Sequence, residues 1–193
     1  MNKKAFLGLL VVVVTLVVAT AGCTSSTNPS SASASPSASA VPQNIAGYAT
    51  YTNATAGMRI QYPSGWDVTE GGSNLRVATF HAPEGATSVM VISGPVSGKS
   101  SLEELHNGSV NSLLNGTSLN YTLVSTEKTT LAGMPAINST LTATIGGITM
   151  KQIDQTTVKD NQAYALIYST TSELWPKFQN DFSNMTNSFV ITS

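Results

Sequence analysis

Residues able to do chemistry are few in this sequence and fall into no recognisable pattern. There are two histidines, His81 and His106, a single cysteine, Cys23, and ten acidic side chains among 193 residues. A metal site needs grouped imidazole, thiolate or carboxylate ligands. The two histidines carry no ligand spacing, so neither a metal nor a cofactor is expected. Serine is plentiful, yet no Gly-x-Ser-x-Gly elbow presents one as a nucleophile. The Gly71-Gly72 and Gly146-Gly147 pairs lack a following Lys-Ser/Thr and read as turns rather than phosphate loops. His81, in Phe80-His81-Ala82-Pro83-Glu84, reads as an exposed histidine at a strand end. Asp67 and Glu70 follow Trp66 and could flank a cleft, but no partner for them is evident. Glu103 and Glu104 suit a helix N-terminus, where the helix dipole favours negative charge. Trp66 and Trp175 read as core residues. No catalytic residue is assigned, and the chain is read as non-catalytic.

Composition points the same way. Charged residues make up 10% of the chain, against roughly a quarter in an average soluble domain. Ser, Thr, Asn and Gly fill the polar positions. Without Lys3 and Lys4 the remainder carries 7 basic and 10 acidic side chains. With no basic cluster, nucleic acid is not expected as a partner, because phosphate binding needs grouped Lys and Arg. One cysteine excludes an intrachain disulfide, so the domain must stand on its hydrophobic core.

The cysteine has another reading. Lys3 and Lys4 precede an uncharged apolar stretch from Ala5, which ends in Ala19-Thr20-Ala21-Gly22-Cys23. A positive start, an apolar middle and small residues before a cut describe a secretory signal over residues 1–22. Ala21-Gly22-Cys23 resembles the lipobox of bacterial and archaeal lipoproteins, with Thr20 where a large aliphatic usually stands. That resemblance implies a thioether lipid on Cys23. An uncleaved membrane helix is the second reading, since about 18 apolar residues can just span a bilayer. Both readings place the domain outside the cell and attached to a membrane.

Residues 23–43 are rich in Ser, Ala and Pro and lack aromatics and charge. Such a tract cannot bury a core. As a flexible coil of about 20 residues it spans roughly 25 Å, and is read as a stalk that could also carry O-linked sugar. Residues 44–193 form the domain, whose ordered part is expected to begin near Tyr48.

Within the domain, Met58-Arg59-Ile60-Gln61-Tyr62 alternates as a half-buried strand should. Pro63-Ser64-Gly65-Trp66 turns the chain. Leu75–Phe80 and Ser88–Ile92 read as strands, and Val89-Met90-Val91-Ile92, apolar on both faces, is expected to be central. Ser100 or Ser101 with Glu103 or Glu104 forms a capping box for a helix ending at Asn115-Gly116. Its expected apolar stripe is Leu102, Leu105, Leu113 and Leu114. From Tyr121 the pattern is β, clearest as a meander of Ile137–Ile145, Ile148–Val158 and Ala163–Ser169. Gly146-Gly147 joins the first pair and Lys159-Asp160-Asn161-Gln162 the second. A closing helix carries Leu174, Phe178, Phe182, Met185 and Phe189 on one face, with Pro176 in its first turn. The fold class expected is α+β, with a largely antiparallel sheet flanked by helices.

Two segments resemble a known family. Tyr51 to Trp66 is similar to the opening of PsbP-like proteins, with a short strand, a glycine, a second strand and a Tyr-Pro-x-x-Trp turn at Tyr62-Pro63-Ser64-Gly65-Trp66. Lys159 to Tyr168, Trp175 and Ser188-Phe189 resemble that family's last hairpin and helix. The resemblance implies a central antiparallel sheet with helices on both faces, an α/β/α sandwich. The family includes a photosystem II extrinsic subunit, prokaryotic lipoproteins and a Ran-binding import factor, which share no single activity. No photosystem-binding or Ran-binding motif carries over, and the lipoprotein branch is the nearest match.

Six Asn-x-Ser/Thr sequons stand at Asn53, Asn107, Asn115, Asn120, Asn138 and Asn184. They are candidate glycosylation sites, and Asn107, Asn115 and Asn120 cluster on one helix-loop segment. The expectation overall is an exported, membrane-held accessory lipoprotein that binds another envelope component. The alternatives are an extracellular small-solute or ion-binding lipoprotein, and an enzyme whose dispersed site no motif reveals.

Overall fold

The computed structural model describes residues 44–71, 75–98, 100–116 and 119–192. The expected leader, Cys23 and most of the stalk lie outside the described residues, as does Gly72. The described residues form ten strands and two helices. Strands β1 (Tyr48–Asn53), β2 (Met58–Pro63) and β10 (Val190–Ile191) make a small sheet in the order β1-β2-β10. The remaining strands are β3 (Asp67–Glu70), β4 (Arg76–His81), β5 (Ser88–Pro95), β6 (Tyr121–Leu131), β7 (Met134–Ile145), β8 (Ile148–Lys159) and β9 (Gln162–Thr171). They make a seven-stranded antiparallel sheet in the order β3-β4-β5-β9-β8-β7-β6. The single central sheet implied by the family resemblance is thus accompanied by a second, smaller one.

Turn chemistry sets the meander's register. Gly146 and Gly147 both have positive φ, 57° and 84°, and close β7 onto β8 so that Ile145 pairs with Ile148. That is the two-residue turn whose twist matches flanking strands. The β8–β9 turn uses Asp160 and Asn161 at φ 49° and 62°. The β6–β7 turn at Ala132-Gly133 gives no comparable signal in the sequence, and β7 accordingly begins at Met134, earlier than the expected Ile137. Gly71 is required for space, because a Cβ there would lie 1.6 Å from the Arg76 carbonyl oxygen.

The two helices lie on opposite faces of the large sheet. Helix α2 (Trp175–Ser188) starts with Pro176 in its first turn and buries Phe178, Phe182 and Met185. Phe182 lies 5.1 Å, centroid to centroid, from Tyr168 and 5.5 Å from Trp175. Phe189 has left the helix for extended backbone but stays buried against Tyr164. Trp66 is buried edge-on to Phe178 and Phe182, while Trp175 is half-buried beneath Lys151, whose Nζ sits 3.7 Å from its ring. Tyr164, Leu166 and Tyr168 alternate along β9 into this core, which also takes Met58 and Ile60 of the small sheet. β5, expected to be central, is an interior strand beside the true centre, β9. Its Val89 and Val91 are fully buried on the α2 side, whereas Met90 and Ile92 are only half-buried on the other.

Helix α1 (Leu102–Gly116) covers β6, β7 and β8 on the other face. The capping box forms as the sequence indicates. Ser101 N–H donates to Glu104 Oε2 at 2.9 Å, and Glu104 N–H donates to Ser101 Oγ at 3.1 Å. The expected leucine stripe is corrected. Leu102, Leu105, Leu113 and Leu114 are half-buried, and the fully buried positions are His106 and Val110. The reason is the sheet face beneath, which presents Ser139, Asp154 and Thr156, so that a polar side chain sits at the centre of the contact.

Candidate functional site

Ser139 on β7 and Asp154 and Thr156 on β8 point to the α1 face because they alternate with residues facing the main core. α1 lowers His106 between them. His106 Nε2 is 2.7 Å from Ser139 Oγ, and Nδ1 is 3.1 Å from Thr156 Oγ1. Thr156 Oγ1 donates to Asp154 Oδ1 at 3.2 Å, and Ser109 Oγ donates to Asp154 Oδ2 at 2.8 Å. Thr126 of β6 continues the chain, 2.7 Å from Ser139 Oγ. His106, Ser139 and Asp154 are each 0% exposed.

The hydroxyls fix the proton directions. With Asp154 ionised, Thr156's one proton goes to the carboxylate, so His106 Nδ1–H must donate to Thr156. Nε2 is then the acceptor and Ser139 donates to it. A proton on Asp154 allows each bond of the chain to reverse. Burial pushes the Asp154 carboxyl up from its ordinary range, against the hydrogen bond from Ser109 and the neighbouring imidazole. Burial pushes the His106 imidazole down, against the pull of the Asp154 charge. The two groups titrate as a pair.

Chemically, a serine hydroxyl on an imidazole that a carboxylate orients through a third hydroxyl resembles an activated nucleophile. In this arrangement it is sealed beneath α1, with His106, Ser139 and Asp154 fully buried. Each member bonds at least one other, so the cluster fastens α1 to a polar sheet face without stranding a buried donor. Sequence reasoning set His106 aside because its partners lie 33, 48 and 50 residues away, on two strands. The signal available was a histidine one turn after a capping box, on the inward face of a helix whose leucines flank it.

Open space lies elsewhere. Two adjoining depressions flank the β1–β2 turn, sharing Thr55, Ala56 and Gln162. The larger, about 390 Å³, adds Asn53, Glu70, Arg76 and Ser93 to its lining. The smaller, about 260 Å³, adds Lys159, Asp160 and Tyr164. These side chains offer hydrogen bonds and both signs of charge, and neither lining includes a histidine.

The other residues singled out in the sequence are dispersed. Asp67 and His81 face one another across β3 and β4, both exposed and outside the two depressions. Glu70 joins the larger depression. Glu103 pairs with Lys128 at 3.2 Å; its carboxyl is held below the ordinary range by its own backbone N–H and then by that lysine. Among the described residues no three His, Cys, Asp or Glu side chains group as metal ligands, and no helix is long and apolar enough to cross a membrane.

The sequons divide into two sets. Asn107, Asn115 and Asn120 are exposed. Asn53, Asn138 and Asn184 are half-buried, and their amide groups donate to Tyr51, Glu127 and Tyr48 respectively.

Comparison with known proteins agrees with this architecture. The PsbP family model matches residues 46–191. No curated protein matches by sequence. The solution structure of cyanobacterial PsbP (CyanoP) from Synechocystis sp. PCC 6803 superposes with a TM-score of 0.62 at 17% identity, covering 81% of this chain and 99% of that one. LpqN of Mycobacterium tuberculosis, described as involved in cell envelope biogenesis, superposes with a TM-score of 0.56 at 12% identity, covering 70% and 83%. At these identities the likeness is one of fold.

Proposed function

The chain belongs to the PsbP family, and on that premise we propose that it is an exported accessory module, held at a membrane through Cys23, that binds another envelope component without turning it over. The envelope assignment is supported by the lipobox-like leader and by the shared fold with LpqN, whose description places that protein in envelope biogenesis. Binding rather than turnover is supported by one contrast. The imidazole–hydroxyl relay is sealed under α1, while the open surface at the β1–β2 turn offers Asn53, Thr55, Glu70, Arg76 and Gln162 in a shallow, polar setting. Such a surface recognises by shape and hydrogen bonds. Its size also falls within the range of roughly 300–1,000 Å³ seen for small-ligand sites, which favours a polar solute as the second reading.

A photo-reactive side chain at Thr55, with a control at Asn107 on α1, tests this in intact envelopes. The expected result is an adduct of one defined mass formed at position 55 and not at 107. Equal or absent adducts at both positions, together with turnover of an envelope substrate by the purified chain, would overturn it.

A further inference from the structure

Four large apolar side chains at one corner of the sheet are exposed: Leu123 (41%), Val124 (60%), Ile145 (44%) and Ile148 (57%). Ile145 and Ile148 are directly paired astride Gly146-Gly147, at the tip of the β7–β8 hairpin. Leu123 is paired with Leu141, and Val124 is the bulged residue beside it at the outer edge of the sheet. Ile145 continues the β7 face that carries Ser139, Leu141 and Ala143, past the cover that α1 provides. The β7–β8 turn itself carries no charge; the acidic side chain brought toward it is the exposed Glu173, which follows Ser172, whose N–H donates to the Thr149 carbonyl at 2.8 Å. No Asp, Glu, Lys or Arg occurs between Glu104 and Glu127 or between Lys128 and Lys151.

The position of this corner relative to the chain's entry names its occupant. The β1–β2 turn lies at the Gln162 end of β9, where Tyr164 Oη donates to the Ala56 carbonyl. Tyr48 and Pro63, at the other end of β1 and β2, therefore lie toward the end of the large sheet that holds His81, Ser169 and the β7–β8 tip. Residues 23–43 precede this entry in the chain. The start of β1 and the apolar tip thus share one end of the domain, and the polar depressions occupy the other.

We propose that the β7–β8 tip, with Leu123 and Val124 beside it, rests on the lipid surface, so that the domain is oriented with the β1–β2 turn facing outward. This rests on the membrane-held reading above. Isoleucines flanking an uncharged turn enter the acyl boundary without carrying a charge out of water. Exposed apolar side chains gathered at a hairpin tip are the kind of surface that marks a membrane or protein contact.

The test uses the full, processed chain reconstituted in phosphatidylcholine vesicles brominated on the acyl chains. Ile148→Trp is compared with Thr55→Trp at the opposite end, after subtracting the signal of the unsubstituted chain. Bromine should quench the indole at position 148 several-fold more than the one at 55. A chain that does not float with the vesicles overturns the membrane-held reading and this inference together. A chain that floats with equal quenching at both positions overturns only this inference. Protection at 148 that appears solely at high protein density, with cross-linked dimers and no bromine quenching, would assign the corner to a second copy and overturn the lipid assignment.

Discussion

Replacing His106 by leucine should change how stability depends on pH more than it changes stability itself. Leucine fills comparable space, and the hydroxyls it leaves behind keep partners. Ser139 retains Thr126, and Thr156 retains Asp154. The signs follow from burial. The His106 imidazole is depressed in the folded protein, so below its unfolded value of 6.5 the unfolded chain takes up a proton that the folded chain refuses, and stability is lost as pH falls. Asp154 is raised and acts oppositely: the folded chain holds its proton at a pH where the unfolded chain has released it, so stability is gained as pH falls. The wild type shows both effects and His106→Leu only the second. If folded His106 stays neutral throughout, lowering the pH from about 7 to about 5.5 costs the wild type about 1.3 kcal/mol relative to the variant. The ion pair Lys128–Glu103 is exposed at the start of α1 and is common to both chains, as is the exposed His81. Urea unfolding followed by the fluorescence of buried Trp66 at each pH measures the difference. Parallel curves, or a wild type that gains on acidification relative to the variant, would show that the folded cluster accepts the proton on His106 and would refute the burial argument.

Three further outcomes are expected. Phe182→Ala should cost about 3–5 kcal/mol, because the ring is buried and contacts Trp66, Tyr168, Trp175 and Phe178; Asn180→Ala, at an exposed position, should be near neutral by the same urea titration. Ser101→Ala removes the acceptor of the Glu104 N–H and should lower stability by about 1 kcal/mol, with α1 amides exchanging hydrogen faster while α2 amides do not. Cys23→Ser should abolish lipid attachment and leader processing, read from the intact mass of protein isolated from membranes; unchanged mass and processing would favour the uncleaved membrane helix.

Much of the architecture is local in origin, and local features are written in consecutive residues. Gly146-Gly147 set a hairpin because both positions need positive φ. Ser101 and Glu104 capped α1 as their spacing required. Pro176 and the phenylalanines after it defined α2 and its buried face. The Tyr-Pro-x-x-Trp turn and the last hairpin carried enough of the family pattern to identify the fold. Strands without such punctuation were less legible: β3 is four residues long, β10 two, and the β6–β7 turn carries an alanine at positive φ. Placing β1, β2 and β10 in a separate sheet also depended on packing, since nothing in an alternating strand says which sheet it joins.

What the sequence by itself determined is an α+β domain poor in charge, with its hairpin turns, its helix ends and its family pattern in place. What only the tertiary structure decided is which distant residues meet. His106, Ser139, Asp154 and Thr156 form one buried cluster because α1 and two strands converge, and a burial-driven pKa shift exists only after that convergence removes water. The apolar corner is likewise invisible in sequence, because β7 pairs with both β6 and β8 and so brings Leu123 and Ile148 to one end of the sheet. Helix periodicity and hairpin turns act over a few residues, whereas proton affinity and exposed surface are set by what the whole fold places nearby.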